Sequence, residues 1–343
     1  MKITTIGIDL AKNVFQIHGA DARGNVVLRK QLRRDQVSAF FANLKPCLIG
    51  MEACGSAHHW ARQLQALGHT VKLIAPQFVK PFVKSNKNDV ADAEAICEAV
   101  SRPTMRFVPL KSLEQQAVLS LHRARQGFIK ARTAQANQIR GLLSEYGLVI
   151  PKGIAYINQR VPALIEDATN ELPGIFRSLI DRLLDNLKLL NNQVSEIESQ
   201  IKLWHQGNET SQRLESIPGI GPLTASAMVA SVGNAHSFKN GRQLAAWIGL
   251  VPRQHSSGGK QNLLGISKRG DVYLRTLLIH GARSLALSVK RKANPDNWLY
   301  KLMHRRNPNV AAVAQANKTV RIIWAILHNN REFRPDYATK ALA

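Results

Sequence analysis

"ITTIGIDLAKNVFQIHGADARGNVVLRK", residues 3–30, holds three apolar runs separated by short polar segments. Residues 3–10, 14–21 and 25–32 read as three consecutive strands, because β-branched runs bounded by Gly, Asn and Asp favour strands joined by tight turns. Further along, the pattern changes. Residues 36–44 and 57–67 carry helical spacing, "CLIGME" (47–52) and "HTVKLIAP" (69–76) read as two more strands, and another helix starts near Asn88. Three strands followed by alternating elements predict an α/β unit, a mixed sheet flanked by helices, over the first hundred residues.

The chain of 343 residues is long enough for two or three domains. It carries 47 Lys and Arg against 23 Asp and Glu, a formal net charge of +24, and residues 216–343 hold most of that excess. Such a balance predicts a polyanionic partner, since neutralising phosphates releases condensed counterions. The longest uncharged stretch, residues 217–238, is broken by prolines and glycines and makes a poor membrane span, so no membrane partner is expected. Three cysteines, Cys47, Cys54 and Cys97, lack metal-type spacing and are odd in number; they read as buried thiols of a reduced cytoplasmic protein.

Residues 110–146 form a long helical pattern in which Arg123 and Lys130, and likewise Arg125 and Arg132, lie seven apart. With Arg140 they offer a basic helical edge, alongside the plainer reading of an ordinary solvated face. After "PKG" (151–153), Phe176, Ile180, Leu183, Leu187, Leu190, Val194, Ile197, Ile201 and Trp204 alternate steps of four and three. This heptad seam predicts a coiled coil, and the regular 3.5 spacing favours a contact with a second copy over one with the preceding helix.

In an acid-poor protein the placement of carboxylates carries information. Asp9 and Glu52 end two apolar strands, and in open α/β sheets strand ends border the ligand crevice. Asp89 and Asp92 sit three apart at a helix start, "NDVADA". One such acid is ordinary at a helix N-terminus. Four from three elements repel unless a cation bridges them, and hard oxygen donors suit Mg2+ or Mn2+. The stretch "IGIDLAKN" also resembles the first phosphate turn of actin-like ATPases, but no further glycine-rich phosphate loop follows.

In the C-terminal part, "SIPGIGPLTASAMVA" (216–230) resembles a helix-hairpin-helix in which Gly219 and Gly221 would let phosphate approach the backbone. "VPRQHSSGGKQNLLGISKRGDVYLRTLL" (251–278) reads as a polar loop running into a basic helix, with Arg253, Lys260, Lys268, Arg269 and Arg275 around two serines. A serine beside glycines is ordinarily a turn residue.

"GIDLAKN", "MEACGSAHHW", "NDVADA", "IPGIGPLTA" and "GLVPRQHSSGGK" followed by "ISKRGDVYLR" occur in this order. The chain thereby resembles the DEDD-type insertion-sequence transposases from about residue 3 to 330. That resemblance implies an RNase H-like (RuvC-like) N-terminal domain with a metal site at Asp9, Glu52, Asp89 and Asp92, and Mg2+ or Mn2+ as cofactor. It implies a helical coiled-coil middle and a mainly α C-terminal domain with a nucleophilic serine, for which the Ser-Gly step selects Ser257. It further implies a non-coding bridge or seek RNA that pairs donor and target DNA, and a homodimer that assembles to a tetramer with its two sites meeting in trans. The reaction implied is cutting and rejoining through a 5′-phosphoserine link, in a bacterial, nucleoid-associated setting. The expected division is 1–105, 106–205, 206–330 and a basic tail, 331–343. A hydrolytic nuclease or junction resolvase, and a non-catalytic nucleic-acid scaffold, are the alternatives.

Overall fold

The computed structural model describes residues 2–84 and 88–334. The chain divides into two compact units, Met1–Ser112 and Leu113–Ala343.

The first unit contains β1 (Thr5–Leu10), β2 (Val14–Ala20), β3 (Val26–Arg33), α1 (Val37–Ala42), β4 (Leu48–Glu52), α2 (Ala57–Ala66), β5 (Thr70–Ile74), α3 (Pro76–Val79), α4 (Asp89–Val100) and β6 (Phe107–Val108). The five strands read from the sequence are all present. They form one sheet of order β3-β2-β1-β4-β5-β6, in which β1, β4 and β5 run parallel and β2, β3 and β6 pair antiparallel. Alternation assigns the two faces. Ile6, Ile8, Phe15, Ile17, Ile49 and Met51 pack with Phe41, Trp60 and Leu64 of α1 and α2. Helix α4 covers the opposite face, and there the strands carry glycine. A Cβ on Gly7 would lie 2.2 Å from the Ala93 carbonyl oxygen, and one on Gly50 2.7 Å from Val100 Cβ. The two glycines therefore let α4 lie directly on the strand backbone.

Among the described residues, the second unit is helical apart from one hairpin. Its elements are α5 (Leu113–Ser144), α6 (Ile154–Glu166), α7 (Gly174–Gln206), α8 (Glu209–Glu215), α9 (Pro222–Val232), α10 (Gly241–Ile248), β7 (Pro252–Gln254), β8 (Leu263–Ile266), α11 (Val272–Lys292), α12 (Trp298–Arg305) and α13 (Pro308–Asn329). The heptad seam lies on α7 and is covered by the same chain. Phe176, Ile180, Leu184 and Leu187 are buried with Ala136, Ile139 and Leu143 of α5 and Ile157 and Val161 of α6. Cross-links Arg125–Glu198, Arg132–Asn191 and Gln135–Asn186 descend on one helix as they ascend on the other, so α5 and α7 are antiparallel. The expected second copy on this seam is thus corrected: the preceding long helix fills it.

Nor does the 106–205 stretch stand apart as a linker, for His122 of α5 bonds Ser226 of α9 and Tyr273 of α11. Of the basic tail, residues 335–343 lie outside the described residues, as do residues 85–87 just before α4. Helix α13 is long and apolar enough to cross a membrane by length and composition, yet Ala312, Ala316, Val320 and Ile323 belong to the core built with α9, α10 and α11.

Candidate active site: an acidic sheet edge and a serine hairpin

Asp9 is one alternation beyond Gly7, and Glu52 one beyond Gly50, so both carboxylates share the α4 face. The parallel register pairs Ile8 with Met51, which sets Asp9 and Glu52 side by side at the carboxyl ends of neighbouring strands. Along α4, the Cys97 thiol reaches the Thr5 carbonyl at 3.8 Å while Ala93 lies over Gly7. The helix therefore runs against β1, and its first turn, with Asp89 and Asp92, points toward the end of the sheet that carries Asp9. Asn88 caps that turn, its side chain accepting from the Ala91 amide at 2.7 Å.

Asp89 is exposed, and Asp9, Glu52 and Asp92 are half-buried. Among the described residues no three Asp, Glu, His or Cys side chains stand close enough together to hold a metal ion as a formed cluster. The elements bring the four acids to one edge without closing them on a common point. The donor set, four hard carboxylates and no thiolate or imidazole, fits Mg2+ or Mn2+. Cys54 feels this edge: desolvation, then the charges of Glu52 and Asp9, push its thiol above the ordinary range. Cys54 is exposed, contrary to the expectation of three buried thiols, whereas Cys47 and Cys97 are buried and burial pushes each up to about 11.

The serine loop is a β-hairpin. β7 and β8 pair antiparallel, the Ser257 carbonyl accepts from the Lys260 amide at 3.1 Å, and Gly258 and Gly259 have φ of 56° and 79°. Positive φ at both central positions is the type I′ turn, whose twist matches the flanking strands. The two serines differ. Ser256 Oγ accepts from Gln254 Nε2 at 2.8 Å and lies 3.4 Å from the Asn262 amide. The Ser257 hydroxyl has no hydrogen-bond partner among the described residues, and it stands exposed beside the tip.

The base of the hairpin is fixed. A Cβ on Gly249 would meet the Arg269 carbonyl at 2.0 Å, and one on Gly270 the Trp247 carbonyl at 1.9 Å. Arg275, expected among the phosphate contacts, is instead buried and donates to the Ile248 and Arg269 carbonyls at 2.8 and 3.1 Å. Arg253, Lys260, Lys268 and Arg269 are exposed around the hairpin. Gly219, φ 89°, packs against α11, a Cβ there reaching the Gly281 carbonyl at 2.8 Å, so its bareness serves helix contact and not phosphate approach. Gly221, the N-cap of α9, faces open space.

The basic edge of α5 is likewise not one edge. Successive helical residues turn by about 100°, so the Arg123/Lys130 and Arg125/Arg132 pairs lie on opposite sides. Arg123 and Lys130 are exposed. Arg125 pairs with Glu198 at 2.7 Å and Arg132 donates to Asn191 at 3.3 Å, both facing α7. Arg140 is half-buried and donates to Asn137 and the Gly153 carbonyl.

The sequence reading missed the group that ties α11 to α5. Ser226 Oγ–H donates to the Pro222 carbonyl at 2.7 Å, so the hydroxyl can only accept from His122 Nε2–H at 3.1 Å. His122 Nδ1 then accepts from the Tyr273 hydroxyl at 2.9 Å, and that oxygen faces Arg125 at 3.5 Å. Burial, then the Arg125 charge, lower the His122 pKa to about 4, and burial raises that of Tyr273. The available signal was a histidine one turn after buried Val118, at core spacing.

Residues 211–296 match the family described as transposase, IS116/IS110/IS902, and residues 6–148 match the DEDD transposase domain of the IS110 type. The chain is similar to a probable family 20 transposase of Pseudomonas aeruginosa, 53% identical over 337 residues, covering 98% of this chain and 100% of that protein. It is similar to the transposase for insertion sequence element IS1111A of Coxiella burnetii, 47% identical over 333 residues, 97% and 92% of the two chains. A third relative, the transposase for IS1328 of Yersinia enterocolitica, is 45% identical over 325 residues, 94% and 96%.

Proposed function

Because the chain belongs to the IS116/IS110/IS902 family of transposases, we propose that it cuts and rejoins donor and target DNA through the Ser257 hydroxyl, guided by a non-coding RNA. The observation that carries this is the contrast within the hairpin: Ser256 is engaged in the loop, and Ser257 is presented without a partner at a glycine turn of fixed base. Ser257 Oγ attacks a DNA phosphorus and loses its proton; the P–O3′ bond breaks, and the 3′ oxygen leaves and takes up a proton. A phosphoserine to the 5′ end remains, which keeps the phosphodiester energy for reversal of the step onto a new 3′ hydroxyl.

The first unit supports an RNase H-like reading, in its strand order, its antiparallel β2 and its acids at the carboxyl ends of β1 and β4. Asp9, Glu52, Asp89 and Asp92 would hold Mg2+ or Mn2+, which when bound supplies Lewis-acid polarisation of the scissile phosphate. In this reading Arg253, Lys260, Lys268 and Arg269 hold the DNA backbone beside the serine. Arg123 and Lys130 offer the RNA its contact, and a homodimer, paired into a tetramer, joins the acids of one subunit to the serine of another.

The test is a trapped reaction read by mass spectrometry. Ser257→Ala abolishes strand exchange and Ser256→Ala retains it, with the wild-type protein–DNA adduct on Ser257. An adduct on Ser256 overturns the assignment, and cleavage with no adduct replaces it with hydrolysis. Mixing Ser257→Ala with Asp9→Asn chains restores exchange if the sites are shared between subunits.

A further inference from the structure

Helix α13 is apolar on more than the face its core contacts need. Ala312, Ala316, Val320 and Ile323 fill the core. Val310, Ala314 and Ala325, with Val313 and Ile322 that also pack against the core, form the floor of a groove of about 1720 Å³. Strand β8 of the serine hairpin lines it with Leu264 and Ile266, and Trp298 and Phe333 contribute aromatic rings. Among the described residues four cations line it, Lys318, Arg321, Arg331 and Arg334, against one acid, Glu332. The Lys318 ammonium lies 4.8 Å from the Trp298 ring centroid, and Trp298 as a residue is 39% exposed.

This volume exceeds the roughly 300–1,000 Å³ of small-molecule clefts, so a polymer segment suits it better. A duplex presents phosphates outward and hides its apolar base faces. An unpaired strand offers both, and aromatic rings inside a cationic groove are the elements that bind such strands. Asparagine amides at positions 309, 317 and 329 line the same groove. From these observations we infer that the groove between β8 and α13 takes an unpaired stretch of DNA, its bases on Trp298 and the apolar floor and its phosphates on the rim cations. The inference rests on the transposase reading for its choice of DNA: the wall that carries Leu264 also carries the serine, so the strand held is the one next to the cut.

The experiment uses the full Ser257→Ala chain, so that binding is read apart from cutting. A labelled unpaired DNA oligonucleotide, its abasic counterpart, the same sequence as RNA and the matching duplex are titrated by fluorescence anisotropy. The unpaired DNA binds tightest, and Trp298→Ala and Val310→Asp each weaken it about tenfold or more, the size of one lost stacked base. Both positions are exposed, so the substitutions spare the core, and circular dichroism checks that. Equal affinity for the abasic strand, or an unchanged affinity of both variants, overturns the groove while leaving nucleic-acid binding intact. Preference for RNA overturns the choice of DNA. Failure of the unsubstituted Ser257→Ala chain to bind any of the four overturns the nucleic-acid reading itself.

Discussion

Every proton in the His122 group has one assigned acceptor: Tyr273 donates to Nδ1, Nε2–H to Ser226, and Ser226 to Pro222. Protonating Nδ1 would set an N–H against the Tyr273 O–H and bring a second positive charge beside Arg125. The folded pKa lies near 4, below the ordinary 6.5, so the unfolded chain binds more protons between these values and stability rises with pH across that window. The stabilisation is complete above about 6.5 and is lost as pH falls toward about 4, an effect on the order of 3 kcal/mol. In His122→Gln the amide oxygen can accept from Tyr273 and the amide nitrogen can donate to Ser226, without a titrating group. Urea melts at pH 7 and pH 5 should show a smaller pH difference in this variant than in the wild type. His18 is buried with its pKa also lowered, by burial first, and leaves part of the slope in both chains.

Among elements, the contact of α4 with β1 is a demanding one, because nothing larger than hydrogen fits at Gly7. Gly7→Ala must lift α4 from the sheet and with it Asp89 and Asp92. The expected result is loss of strand exchange in a chain whose second unit still melts normally by calorimetry. The α5–α7 seam offers a second test. Leu187 is fully buried against α5 and α6, so Leu187→Ala should cost about 2–5 kcal/mol of stability. A variant that keeps its melting temperature but loses oligomer mass would return the seam to an intermolecular role. The sheet was legible because its strands alternate and end in turn residues. β6 was not, being two residues long, and neither was the β7–β8 hairpin, whose exposed strands show no buried face. A periodic stripe announces a contact without naming the partner, which is why the seam pointed outward to a second copy. The positions of Asp9 and Glu52 at strand ends and of Asp89 and Asp92 at a helix start were legible, while Arg125, Arg132 and Arg275 were misread because charge in a sequence does not reveal the internal carbonyl or carboxylate it satisfies.

For the whole molecule, an excess of 24 positive charges predicts a nucleic-acid affinity that falls steeply with salt. On the proposed RNA contact, replacing Arg123 and Lys130 by alanine should make the slope for RNA shallower by about two counterions, whereas alanine at Arg125 and Arg132 should lower stability and leave the slope nearly unchanged. Filter binding from 50 to about 200 mM salt separates these outcomes. The antiparallel pair α5–α7 has a mechanical side as well. At 1.5 Å per residue, α5 runs about 33 Å from His122, where α9 and α11 grip it, to Ser144, where α6 packs. Two helices laced along that length bend far less readily than one, so the pair would behave as a stiff arm held at its Tyr273 end. A turn of about 5° at the pivot sweeps the far end through about 3 Å over that reach. A load placed on the α6 end would be felt as torque on the first turn of α11, which carries Tyr273.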